Sequence, residues 1–298
     1  MNLRSSPLAL AAGLTLSALC AAATAQAPDA TSSSEAPAAT PEPMPHANAS
    51  SRPLWELGLV SVAASQTAWP GAQQRVGRFL VLPYVVYRGE HLRADRDSAG
   101  WRAYKTSGFE LDLGVGGSLG GAATNEGVRQ GMPQLGTLLE LGPRASWTLT
   151  QHRDEQVVLE LPLRAALDLS HRGRHRGWTL EPKLRWERAL AGNTFVAVST
   201  SAVLADQRLA SYFYGVEPPY ATTQRPAYQA RAGLVAWRLS ASGAWRIHPQ
   251  WRVFGALRGE VLSGAVNLDS PLVQRKTGYA AALGLVYTWK QSEQRGAD

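Results

Sequence analysis

VVLELPLRAALDLS, residues 157–170, decides the fold. Its odd positions run Val157, Leu159, Leu161, Leu163, Ala165, Leu167 and Leu169, all aliphatic. Its even positions include Glu160, Arg164 and Asp168. Period-two alternation sends the two sets to opposite faces of one strand. A tilted strand crosses hydrocarbon in about 9–11 residues, so this run is long enough to span a bilayer.

The next segment repeats the design. Trp178, Leu180, Pro182, Leu184 and Trp186 alternate with Thr179, Glu181, Lys183, Arg185 and Glu187. An aromatic stands at each end of the apolar face, as two interfacial girdles require. Phe109 to Val115 alternates with Glu110 and Asp112, and Leu139 to Leu149 alternates with Glu140 and Arg144. Val235 to Ile247 alternates with Arg238, and Tyr279 to Trp289 with small residues. Segments 54–65 and 78–88 alternate poorly. Soluble sandwich strands are mostly shorter, about five or six residues, and no apolar run in 54–298 reaches the length of a transmembrane helix.

The expected fold is an all-β transmembrane antiparallel barrel. Twelve strands are predicted, near 54–65, 78–87, 88–95, 100–105, 107–120, 136–151, 155–170, 178–190, 193–206, 228–247, 250–265 and 277–289. Ten is the alternative, since such barrels favour even numbers. Segment 207–227, rich in Tyr and Pro, is expected to be a surface loop or a lumen plug. Glu110, Asp112, Glu140, Arg144, Glu160, Arg164, Asp168, Glu181, Lys183, Arg185, Glu187, Arg238, Arg258 and Glu260 are predicted to face the lumen. They mix both signs, so pairing across the sheet is expected. That favours a narrow or closed lumen over a wide porin, although mixed-charge walls also line small selective channels.

Upstream, Arg4 followed by the apolar run Pro7 to Leu19 and Ala23-Thr24-Ala25 reads as a cleavable signal peptide over 1–25. Residues 26–53 are rich in Ala, Pro, Ser and Thr, and are expected to form a disordered linker. The barrel is placed at 54–289, and 290–298 is a polar tail. This route implies the outer membrane of a Gram-negative cell, with lipid as the first partner. The 298 residues carry 28 Gly, 10 Trp, 18% charged residues and a net charge of +7. The basic residues alternate with acidic ones, so no nucleic-acid stripe is expected.

Candidate chemistry is sparse. Cys20, the one cysteine, leaves with the signal, which removes disulfides and thiol chemistry from the mature chain. Leu19 before it argues against lipidation. His171 and His175 flank Arg172-Gly173-Arg174 in a hairpin turn, read as polar loop rather than metal site. Ser146, His152 and Asp154 are near in sequence, but Ser146 is predicted to face the lumen. The glycines from Gly114 to Gly121 lack the helix of a phosphate loop. No catalytic residue, cofactor or metal is expected.

Several stretches resemble the MipA/OmpV outer-membrane family. Tyr87-Arg88-Gly89-Glu90-His91-Leu92 is similar to its YRGD element. Gly131-Met132-Pro133 with Glu140, Gly142, Pro143 and Arg144 resembles its GMP and LELGPR elements. Tyr212-Phe213-Tyr214-Gly215-Val216 with Pro226-Ala227-Tyr228 resembles its YFGV and PAY stretch. Asp269-Ser270-Pro271-Leu272-Val273 is similar to a turn before its last strand. One departure is the polar tail after Trp289, where family members tend to end on an aromatic. The resemblance implies a non-enzymatic scaffold linking a lytic transglycosylase to a penicillin-binding murein synthase in peptidoglycan remodelling. A small-solute channel and a surface adhesin are the alternatives.

Overall fold

The computed structural model describes residues 53–88, 93–94, 99–100, 102–106, 108–118, 127–190 and 194–294. The signal, the linker up to residue 52, Gly89 with residues 90–92, and 295–298 lie outside these. The described chain is one antiparallel sheet of β1 (Trp55–Thr67), β2 (Arg75–Arg88), β3 (Arg93–Ala94), β4 (Ala99–Gly100), β5 (Arg102–Lys105), β6 (Phe109–Ser118), β7 (Leu138–Gln151), β8 (Glu155–Asp168), β9 (Arg174–Leu180), β10 (Lys183–Leu190), β11 (Thr194–Ala205), β12 (Gly233–His248), β13 (Trp251–Val261) and β14 (Thr277–Gln291).

β1 pairs with both β2 and β14, and the order then descends through the chain to β6 and β5. β4 and β5 are the two ends of this path, one residue apart in sequence, and β4 also touches β6. The sheet therefore closes on itself. β4 and β5 make one stave. β9 and β10 make another, interrupted at Glu181-Pro182, and both halves lie between β8 and β11. Proline has no N–H to give a ladder, which accounts for the break. Fourteen segments thus form twelve staves, the predicted number.

The outer wall is apolar. Leu159, Leu161, Leu163, Leu184, Leu239, Leu257 and Leu283 are all exposed, Leu239 to 63%. Water would penalise such a surface and hydrocarbon does not. Trp178 and Trp186, Trp237 and Trp245, and Tyr279 and Tyr287 each stand eight residues apart on one stave. That is about 26 Å along a strand, the scale of the apolar band between aromatic girdles. The fold is a transmembrane β-barrel.

Boundaries differ from expectation at several ends, three of them informative. β12 starts at Gly233, not 228, because Tyr228 forms an isolated bridge with Val216 instead. β13 ends at Val261, where the chain turns through Gly264 at φ +74°. β14 runs past Trp289 to Gln291, pairing Lys290 with Leu57 and Gln291 with Glu56. The turns joining β7 to β8 and β12 to β13 are short, and the segments after β6, β11 and β13 are long. Long loops face the exterior in bacterial barrels and short turns the periplasm. The long segments therefore mark the outer mouth.

Candidate functional site: a charge-knit lumen under a folded plug

Inward positions on the staves carry two charge clusters. Toward the short turns, Asp112 and Arg144 sit directly opposite on β6 and β7, and Glu160 and Lys183 on β8 and β10. The Arg144 guanidinium forks onto the Asp112 carboxylate, Nε to Oδ1 at 3.0 Å, and approaches Glu160 at 3.9 Å. Glu160 also meets Lys183 Nζ at 3.4 Å and Arg185 at 3.6 Å. Arg185 continues to Glu187, which accepts from Gln156 as well. Among the described side chains, three acids meet three bases here.

Nearer the outer mouth, Glu181 takes Arg164 at 3.8 Å and Arg238 at 3.4 Å, and accepts from Ser201 at 2.8 Å. Arg238 and Glu260 are opposite on β12 and β13 and bond at 2.8 Å, with Arg258 at 3.4 Å from the same carboxylate. Glu140 accepts from Thr179 at 3.4 Å. Again three acids face three bases. Glu110 is inward and half-buried, opposite Ser146.

A third pair lies on the opposite wall. Arg252 donates to Glu56 at 3.1 Å and to the Tyr84 hydroxyl at 3.4 Å, and that hydroxyl bonds Thr288. Sequence reasoning missed Glu56, Tyr84 and Arg252. Arg252 was findable, since it shares the even positions of Arg258 and Glu260. Glu56 was hidden because Val60, Val62 and Ala64 make the inner face of β1 apolar, which erases the alternation.

Val60, Val62 and Ala64 belong to the same buried cluster as residues of the plug. Within segment 206–232 the first part docks inward as a plug, while most of 217–229 stays exposed as a surface loop. Its helix α1 (Gln207–Tyr214) is capped by Asp206, which accepts from Leu209 N at 2.8 Å. Leu209, Ala210 and Tyr214 join Trp69, Leu138, Val203 and Val235 in one buried cluster. The β8–β9 hairpin holds the helix. Gly177 there has φ +129°, and a Cβ would strike Asp206 and Leu209. Asp168, fully buried, accepts from Tyr212 at 3.1 Å, from Arg176 at 2.7 and 2.9 Å, and contacts His171 at 2.9 Å. Burial, aided by the Asp168 charge, pushes the Tyr212 phenol well above the usual tyrosine range.

Most of the motif residues meet in this plug. Met132 packs with Val216 and Leu272. Gly131 adopts φ +79° in the turn before it, and the Pro133 carbonyl accepts from Arg129 at 3.3 Å. Ser270 donates to the Tyr214 carbonyl at 2.8 Å, in a turn that also holds Asp269 and Pro271. The next residue, Leu272, accepts the Trp69 indole N–H at 3.1 Å. Gly215 ends α1, and Tyr228 donates to Asn267 at 3.3 Å. Glu140, Gly142, Pro143 and Arg144 belong to the wall instead. Tyr87 and Arg88 end β2 at the periplasmic side, far along the chain from the plug, and Gly89 is outside the described residues. Ser146 lies within β7, while His152 and Asp154 sit in the turn beyond its end. His171 is engaged by Asp168, and no group of three metal-capable side chains occurs among the described residues. No described helix is long and apolar enough to cross a membrane.

Between plug and wall remains a cavity of about 80 Å³ bordered by Glu140, Arg164, Glu181, Arg238, Arg258 and Glu260. That is room for a few waters. Both charge clusters are buried, Glu160 to 4% exposed and Glu181 to 5%.

The sequence matches the family described as MltA-interacting protein MipA over residues 58–289. No curated protein matches it. Among solved structures, the NanC porin aligns at 10% identity with a TM-score of 0.37, covering 77% of this chain and 98% of its own. An outer-membrane channel from Pseudomonas putida F1 aligns at 9% identity and 0.35, covering 82% and 98%. The outer-membrane protease OmpT from Escherichia coli aligns at 7% and 0.26, covering 80% and 97%. Likenesses this distant carry no argument, and the fold rests on the sheet itself.

Proposed function

The chain belongs to the MltA-interacting protein MipA family, and from that premise we propose a closed outer-membrane anchor that holds a murein hydrolase at its periplasmic rim. The hydrolase would be a lytic transglycosylase, and a penicillin-binding murein synthase would join it there. One observation supports the reading: the described lumen side chains of both clusters are buried and ion-paired, with α1 packed at the outer mouth. A barrel filled in this way would offer its rim and its membrane residence as the working parts. The alternative, a small-solute channel, has only the water-sized cavity in its favour.

The test is crosslinking in intact envelopes followed by purification of the tagged barrel. A lytic transglycosylase and a murein synthase should be recovered, and should be lost from envelopes lacking the barrel. Recovery of the same partners without the barrel would end the proposal.

A further inference from the structure

The outer mouth holds a second feature. A cleft of about 490 Å³ opens between α1, the 129–135 segment, the start of β9 and the 215–230 segment. Arg129, Arg174 and Arg208 line it, with Tyr212 and Tyr220 alongside. Arg176 also lines it but is engaged by Asp168. Glu217 is the only carboxylate in its wall among the described residues. The cleft is therefore cationic.

Arg129 supplies independent evidence. It is only 3% exposed, yet no carboxylate pairs with it among the described residues. Its guanidinium donates to the carbonyls of Phe213 and Pro133, at 3.1 and 3.3 Å, and its Nε is buried without an acceptor. A buried cation lacking a counter-ion is costly. Burial, with Arg225 nearby, lowers its pKa to about 10. Every other deeply buried charge described above has an opposite charge within reach.

We propose that this cleft binds a compact anionic sugar. Its carboxylate or phosphate is held by Arg174 and Arg208 and compensates Arg129, because guanidinium forks match both oxyanions. The hydroxyls meet the amides and hydroxyl of Gln134, Gln207, Gln229 and Ser211, and Tyr220 offers a ring for the apolar face. The volume lies in the usual range for small-ligand sites, about 300–1,000 Å³. The anion can be a free sugar acid or sugar phosphate, or the phosphorylated head of lipopolysaccharide.

The full-length protein, folded into phosphatidylcholine vesicles free of lipopolysaccharide, is titrated calorimetrically with glucuronate, glucose 6-phosphate and glucose at fixed ionic strength. An anionic sugar should bind and glucose should not. Arg174→Ala and Arg208→Ala change exposed side chains and should each weaken binding by about tenfold or more. Heat-modifiable mobility should stay normal in both. Adding lipopolysaccharide separates the sources: displacement of the soluble anion identifies the lipid head group, and unchanged affinity identifies a free sugar. The proposal is overturned if none of these ligands binds, if glucose binds as well as the anions, or if neither arginine substitution matters.

Discussion

Arg144 joins two carboxylates of the lower cluster, Asp112 and Glu160, and is itself deeply buried. Arg144→Ala removes the guanidinium that forks onto the buried Asp112 carboxylate, a change that costs about 3–5 kcal/mol for buried pairs. Urea unfolding from vesicles should register that loss. Replacing both partners, Asp112→Leu with Arg144→Met, should cost clearly less, since neither bare charge remains. Gly142 is a second sensitive residue. A Cβ there would run into the Leu163 carbonyl of the neighbouring stave, so Gly142→Ala should sharply lower the folded yield. Gly131→Ala has open space and should cost only about 1–2 kcal/mol for its left-handed φ. Alternation places side chains such as Arg144 on a face, so their inward direction was legible in the sequence. Which acid meets which base depends on inter-stave register, which the turns set and no single strand displays. Arg129 had no signal at all, because it sits in an irregular turn.

At the scale of elements, the plug is the part that sequence left open. An eight-residue helix has too little periodicity to announce itself, and its stability comes from docking, not propensity. Its contacts are to Asp168, Gly177 and Trp69, each more than twenty-five residues away from it in the chain. Gly177→Val should expel α1 while leaving the wall closed. Limited trypsin digestion at Arg208 reads this directly: cleavage should become fast in the variant and stay slow in the parent. Tyr212 gives the plug a pH dependence. Its phenol is buried neutral, with a folded pKa above the free value of about 10. The stability it contributes is full below pH 10 and falls as pH climbs toward the folded pKa. Tryptic protection of Arg208 should therefore hold to about pH 10 and weaken above it, and Tyr212→Phe should remove that dependence.

Across the whole molecule, the lipid face and the stave count were readable because hydrocarbon tolerates only an apolar outer row. That constraint repeats on nearly every stave. It fails to show on β1 and β2, whose inner faces are apolar as well where Val60, Val62, Leu80 and Leu82 join the buried cluster, and at β9–β10, where Pro182 splits one stave into two segments. The closure of the lumen is a property of the assembled barrel. It rests on the two charge clusters, above which the plug packs. The most direct measurement of that claim is planar-bilayer recording of the purified barrel, with folding verified by its faster migration before boiling. The account predicts a silent bilayer for the parent protein, and also for a variant in which a short Gly-Ser loop replaces 207–227, since the charge clusters still fill the bore. Reproducible stepwise conductance from the folded parent would contradict it.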